Sequence, residues 1–474
     1  MRFCAPVHFG AAILRFCHRE GAWFSERRTE KSAQTHDHQR AGGDSVHDGW
    51  SITRRSIRSK QAFRFRPFGL DENSLVRRST STLLLLHVLV VGLDSSAREP
   101  IKSPPPIIEA KMVRARDLGI PFEGTPGKLN AITDVPGVEV GYTTLISGEG
   151  KLEVGKGPVR TGVTAILPRG HASLNDPVYG GFFSFNGNGE MTGTAWVEEG
   201  GLLEGPIIIT NTHSVGVARD AVIAWRVKHG AADKTGYWWS LPVVAETWDG
   251  WLNDINGFHV KPEHVWHALD AAHGGVIEEG SVGGGTGMIC YEFKGGNGTA
   301  SRKVDVRVSK DASPQSFIIG VFLQANFGRR PELTIAGVPV GKEIPGEVYK
   351  QESGSCIAVV ATDAPLLPNQ LKRLARRVSL GLARTGTISG NGSGDLFIAF
   401  STANPNVANP DQITHTVQTI PNDLMDPLFA GVLQATEEAV VNALVDNHSM
   451  TGRDNHRVDA LPHDRLREII KRFR

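Results

Sequence analysis

From Met112 onward the chain alternates between two spacings of apolar residues. "GPIIITNT" (205–212) reads as a buried strand, and "SVGVARDAVIAWRVKHG" (214–230) reads as a helix closed by Gly230. "KPEHVWHALDAAHGG" (261–275) places Pro262 at a helix start and glycines past its end. "KVDVRVSK" (303–310) alternates apolar with polar, the mark of a half-exposed strand, whereas "SFIIGVFLQANFG" (316–328), "SCIAVVATDA" (355–364) and "DLFIAFSTAN" (395–404) are apolar on both faces. Two long helices follow the 3.6-residue period. Leu371, Leu374, Val378 and Leu382 make one apolar face, and Phe429, Val432, Leu433, Val440 and Leu444 make the other. Asp426 is expected to cap the second helix, with Pro427 in its first turn. Strand pairs separated by helices predict sheets covered by helices. No fixed-period repeat and no linker divide 112–474, so this stretch is expected to be one large domain.

Residues 1–111 have a different character, rich in Arg, Ser and His without a sustained period. They hold 18 Lys+Arg against 11 Asp+Glu, so the remainder of the chain's 51 and 50 is 33 against 39. Leu83 to Leu93 is an 11-residue apolar run behind Arg77 and Arg78, with small residues after it. It is too short to span a bilayer as a helix. It is laid out like a signal-peptide core yet lies far from Met1. The expectation is that the globular protein starts at Met112 and that 1–111 is an extension of doubtful reality; a genuine disordered or targeting leader is the alternative. The net charge of +1 points to neither nucleic acid nor an anionic membrane. Four cysteines, Cys4, Cys17, Cys290 and Cys356, make neither a disulfide framework nor a metal-ligand spacing. A cytoplasmic location is expected, with secretion the alternative if the apolar run is a working signal.

The chemistry centres on "EEGSVGGGTGM" (278–288). Consecutive glycines do not serve packing; they let a backbone come close or take a positive φ. Phosphate binding does not fit. No lysine stands between Ser281 and Cys290, the G-x-G-x-x-G spacing fails, and the loop follows a helix. The chain also lacks a G-x-S-x-G elbow and an H-E-x-x-H pair, and His213 in "NTHSVG" stands alone. What fits is a bond that the protein cuts itself. The Ser281 hydroxyl can attack the Gly280 carbonyl, giving an ester that water opens. Ser281 then becomes an N-terminus whose own α-amine is the base. Such an amine titrates near 7.7–8, so no histidine is required. Gly284 and Gly285 would offer bare N–H groups and room to a substrate chain.

"EGSVGGGTGM" resembles the cleavage-site signature of the L-aminopeptidase/D-esterase and β-peptidyl aminopeptidase family of self-processing serine hydrolases. "IPFEGTPGKLNAITDVPGVEVGY", "FNGNGEMTG", "NTHSVG", "ETWDGWLND", "QANFGRR" and "SGNGSGDLFIAFST" resemble family blocks in the same order, so the resemblance runs from about Met112 to Arg474. It implies an αββα sandwich like that of N-terminal-nucleophile hydrolases, differently connected. It also implies an α-chain of 112–280 and a β-chain of 281–474 that stay associated, a homo-oligomer such as a tetramer of heterodimers, and no metal or organic cofactor. The substrates would be small peptides, amides or esters, with α-L, β or D preference open. By the same resemblance Glu190 pairs with the substrate ammonium, although a loop glutamate facing solvent reads alike. Asn253 is the candidate oxyanion donor, against a turn-capping asparagine. Asn211, Asn326 and Ser393 with Asp395 are further polar candidates, the last pair reading equally well as turn chemistry. Two other functions stay open: acyl transfer of the ornithine acetyltransferase type, where the nucleophile is threonine, and peptide binding without catalysis.

Overall fold

The computed structural model describes residues 113–230, 238–346 and 354–473. The leader and its apolar run lie outside the described residues. In chain order the strands of the two main sheets begin with β1 Glu139–Ser147, β2 Val159–Leu167, β3 Val178–Gly187, β4 Leu202–Leu203, β5 Ile207–Asn211 and β6 Val243–Thr247. A short hairpin, β7 Ile289–Cys290 and β8 Phe293–Lys294, precedes β9 Gly296–Val306, β10 Gln315–Asn326, β11 Ser355–Thr362 and β12 Gly394–Ser401. The helices are α1 Thr194–Gly200, α2 Val215–Lys228, α3 Pro262–Asp270, α4 Val340–Glu343, α5 Pro368–Arg384, α6 Asp426–Val445 and α7 His463–Arg472.

Two sheets stack. The four-stranded sheet runs β1-β2-β5-β6 and the six-stranded sheet β4-β3-β12-β11-β10-β9. Pairing is antiparallel except between β5 and β6 and between β11 and β12. Those parallel pairs are the ones joined through a helix, α2 and α5 respectively, as parallel neighbours require. Three apolar layers hold the stack. Ile166, Ile207 and Ile209 of the smaller sheet meet Phe322, Ile357, Ile398 and Phe400 of the larger one. Ala218, Val222 and Trp225 of α2 and Val265 and Leu269 of α3 cover the smaller sheet's outer face. Leu371, Leu374, Val378 and Leu382 of α5, with Val432, Val440 and Leu444 of α6, cover the larger sheet's outer face. Each fully buried Val, Leu, Ile or Phe among them contributes roughly 1.5–3 kcal/mol. The order helix, sheet, sheet, helix is the αββα sandwich.

Three local expectations change. Asp426 does not cap α6; it is the first helical residue, and Met425 at the cap position makes no side-chain bond. α6 is also buried nearly all round, not on one stripe, and it accepts Thr436, Glu438 and Asn442 inside, while Leu433 of the expected face is only half-buried. Glu438 is held there by Arg116 and Arg302, each at 2.7 Å. The helix is long and apolar enough to cross a membrane, but 83% of the relevant window is packed inside the protein, which makes it a core helix. Finally, the strand anticipated at 303–310 begins earlier, at Gly296. Its glycines disguise it. A Cβ at Gly296 would stand 2.1 Å from the Gly280 carbonyl oxygen, and one at Gly298 2.0 Å from that of Ala439.

Candidate active site

The stretch from Ile277 to Thr286 threads between the sheets and is fastened at nearly every residue. The Tyr142 hydroxyl donates to the Glu278 carbonyl at 2.9 Å. Glu279, buried, faces Arg114 at 2.6 Å and accepts from Thr299 N at 2.7 Å. Burial pushes the Glu279 carboxyl up to about 7, against the opposing pull of Arg114. Gly280 exchanges both backbone bonds with Asn297 at the start of β9, at 2.7 and 2.8 Å. Its φ is +75°, a region that favours glycine, and a Cβ there would lie 1.8 Å from the Asp446 carbonyl oxygen. Only glycine fits this seat.

Ser281 is 7% exposed, and its hydroxyl donates to Asn447 Oδ1 at 2.5 Å. Asn297 Nδ2 donates to the Val282 carbonyl at 2.8 Å. The run Gly283–Gly285 then forms a buried 3-10 turn. Its amides are taken by threonine hydroxyls of the smaller sheet, Gly283 N to Thr144 at 2.8 Å and Gly284 N to Thr164 at 3.1 Å. A Cβ on Gly284 would stand 2.3 Å from Gln324 Oε1, and one on Gly285 2.6 Å from Asn297 N. Gly284 and Gly285, anticipated as bare donors with room for substrate, are instead buried against the strands, with the Gly285 amide bonded to the Val282 carbonyl at 2.9 Å.

Through Gln324 the loop reaches the ends of β5 and β6, since Gln324 Nε2 donates to Thr247 Oγ1 at 2.5 Å. Beside Thr247 sits Glu246, 3% exposed, its carboxyl raised by burial and held by the Thr212 hydroxyl and the Glu190 amide, the latter at 3.1 Å. The Glu190 side chain itself is exposed. A Cβ on the preceding Gly189 would lie 3.2 Å from both Glu246 Oε1 and Gly394 Cα, which brings Glu190, Glu246 and the turn of Ser393 and Asp395 together. Within that turn Ser393 Oγ donates to Asp395 Oδ1 at 2.8 Å.

The asparagine candidates divide differently. Asn253 has both ends of its amide engaged: Oδ1 accepts from Arg160 N at 2.9 Å and Nδ2 donates to Asp249 at 3.0 Å. Asn211 Nδ2 donates to Thr161 at 2.8 Å. Asn326 bridges Ile289 N and the Trp248 carbonyl at 2.8 and 2.9 Å. His213 is exposed and stacks on Phe258, ring centroids 6.0 Å apart. Among the described residues no cluster of three or more His, Cys, Asp or Glu is arranged to hold a metal ion. Arg114, Glu246, Asn297 and Asn447 were not singled out by sequence. Of these only Glu246 carried a visible signal, a charge ending the apolar run "VVAET".

A glycine-serine step at the head of a buried glycine turn, set between two sheets of an αββα sandwich, defines the class of N-terminal-nucleophile hydrolases. The family model of peptidase family S58 matches residues 130–458, and the chain belongs to that family. It is 54% identical over 379 residues to the β-peptidyl aminopeptidase BapA of Sphingosinicella microcystinivorans, covering 76% of this chain and 92% of that one. Against the BapA of Sphingosinicella xenopeptidilytica it is 48% identical over 414 residues, covering 84% and 98%. The L-aminopeptidase D-Ala-esterase/amidase of Ochrobactrum anthropi, a prototype of the serine aminopeptidases with a new variant of the Ntn hydrolase fold, superposes with a TM-score of 0.71 at 49% identity, covering 76% and 98%. The chain is thus a hydrolase of the serine aminopeptidase type.

Proposed function

We propose that the chain cuts itself between Gly280 and Ser281, and that Ser281 then serves as N-terminal nucleophile in releasing N-terminal residues from small peptides, amides or esters. The observation that carries this is the seat of Gly280. A left-handed glycine, clamped by two backbone bonds to Asn297 and with no room for a side chain beside the Asp446 carbonyl, directly precedes a buried serine whose hydroxyl is held by Asn447. Attack by Oγ forms the Oγ–C bond, the C–N bond breaks, and the hydroxyl proton ends on the Ser281 nitrogen. Water then opens the ester, leaving a Gly280 carboxylate and a free hydroxyl. The released α-amine is about half neutral near pH 8 and takes the hydroxyl proton in each later turnover. Glu190, with Glu246 behind it, receives the substrate ammonium. The names of the two Sphingosinicella relatives favour β-amino acid residues at the substrate N-terminus.

In this reading 112–280 and 281–474 remain associated as α- and β-chains within a homo-oligomer. A cytoplasmic location accords with Cys290 and Cys356, both buried thiols. N-terminal sequencing of purified protein tests the cut: a fragment beginning Ser-Val-Gly-Gly-Gly-Thr is expected, and Ser281→Ala stays whole and inactive. An intact wild-type chain with full activity would overturn the assignment.

A further inference from the structure

The two residues that follow α6 brace both sides of the bond between Gly280 and Ser281. The Asp446 carbonyl packs where a side chain on Gly280 would lie, and the Asn447 amide oxygen accepts from Ser281. The orientation of that amide is fixed from behind. Asn447 Nδ2 donates to the Ala443 carbonyl at 2.7 Å, to Gly295 at 2.9 Å and, more weakly, to Lys294 at 3.3 Å. With only acceptors on that side, a flipped amide would set Oδ1 against carbonyl oxygens, so the oxygen must face the serine. The serine hydroxyl therefore has an acceptor whose position is set by the last turn of α6 and by the β7–β8 hairpin's exit, 166 residues away in sequence.

Resting on the self-cleavage reading above, we propose that Asn447 is the positioning residue of that cleavage: its Oδ1 holds the Ser281 hydroxyl hydrogen and thereby aims the oxygen's lone pairs at the Gly280 carbonyl. A free serine side chain samples three staggered wells; one short bond to a fixed acceptor selects one of them. An acceptor also draws the hydroxyl hydrogen off the oxygen, which raises its nucleophilicity. A carboxamide is too weak a base to keep the proton, so Asn447 enters and leaves the acyl shift unchanged. Small misplacements of a nucleophile are costly, since an ångström is worth as much as a hundredfold in rate.

The test compares Asn447→Leu with Asn447→Asp. Leucine keeps the side-chain volume and removes the acceptor. Aspartate keeps an acceptor oxygen and removes the amide donors. A purely structural asparagine, needed for its bonds to Ala443, Gly295 and Lys294, is damaged equally by both. A positioning oxygen is lost only in leucine. Splitting is followed by pulse-labelled cell-free synthesis of the full chain, and folding by thermal melting of each variant in a Ser281→Ala background that does not split. We expect Asn447→Leu to split at least about thirtyfold more slowly than wild type and Asn447→Asp to lie within about fivefold of it. If leucine does not fold, Asn447→Ala takes its place with the same expectation. Equal slowing by leucine (or alanine) and aspartate overturns the proposal, as does wild-type splitting in all of them. A wild-type chain that never splits instead overturns the self-cleavage reading itself, and that outcome is told apart by the wild-type lane alone.

Discussion

Replacing Gly280 by alanine tests whether the tight seat before Ser281 matters to the cut. A methyl group at this position would lie 1.8 Å from the Asp446 carbonyl oxygen, where real contacts do not fall below 3.0 Å. Gly280 and the turn after α6 must therefore part by more than an ångström. That movement breaks either the pair of backbone bonds to Asn297, 2.7 and 2.8 Å long, or the bond from Ser281 to Asn447. By the first route, two hydrogen bonds at about 1 kcal/mol each, with about 1 kcal/mol for placing a Cβ at positive φ, total roughly 3 kcal/mol. If that sum separates the cleavage-ready geometry from the relaxed one, self-cleavage slows on the order of a hundredfold. Intact-mass time courses after pulse synthesis measure it directly. Gly275→Ala is the control. Gly275 also has a positive φ, +89°, but a Cβ there meets nothing within 4 Å. Its alanine variant carries the backbone strain without the collision, and it should split at the wild-type rate. A Gly280→Ala chain that also splits at the wild-type rate would refute the argument from the seat.

Two further outcomes follow from charge. Glu190→Gln should lower kcat/KM for substrates with a free amine by about tenfold, because an exposed carboxylate contributes less than a buried one, and should leave N-blocked substrates unaffected; an equal loss on both would make Glu190 structural. Lys294 is wholly buried, its amine donating to the Met288 and Gly295 carbonyls at 2.9 and 2.6 Å, and desolvation lowers it to about 7 from 10.5 against a smaller opposing pull from Cys290. Between these values the unfolded chain binds the extra proton, so the stability from this group rises with pH from about 7 to 10.5 and is lost as pH falls through 7; urea melts of the unsplit Ser281→Ala chain at pH 7 and 9 should show the rise, and Lys294→Met should flatten it.

Most of the scaffold was legible because it follows period. β5, β10, β11 and β12 are continuous apolar runs, and α5 shows its buried stripe at Leu371, Leu374, Val378 and Leu382. β9 escaped at its start because its glycines make room for neighbouring backbone, and a strand selected by close approach carries no hydrophobic signature. The capping reading of Asp426 failed because tertiary packing set the first turn of α6. Within the site, glycine beside serine was visible, since backbone freedom is written in residue type. What fastens the pair was not. Arg114, Asn297 and Asn447 come from three distant parts of the chain, and an asparagine that orients a nucleophile looks the same in sequence as Asn253, whose amide is consumed by Arg160 and Asp249. Partner identity is a property of the fold, not of the residue.

The position of the proposed cut within the larger sheet alters the reaction order of refolding. β3 and β4 precede Gly280, while β9 to β12 follow Ser281, yet β3 pairs with β12 from Tyr179 opposite Ser401 to Gly187 opposite Gly394. The layer between the sheets likewise mixes side chains from both sides of the cut. Before the cut, these segments are one molecule and refolding is unimolecular. After it, the same contacts join two molecules, and any unfolded pair must find each other again by diffusion. A tether supplies an effective concentration in the millimolar range; severing it makes the equilibrium obey mass action, so dilution alone disfavours the native state. On the proposed cut, the precursor can refold repeatedly, whereas the cleaved pair depends for its persistence on slow unfolding.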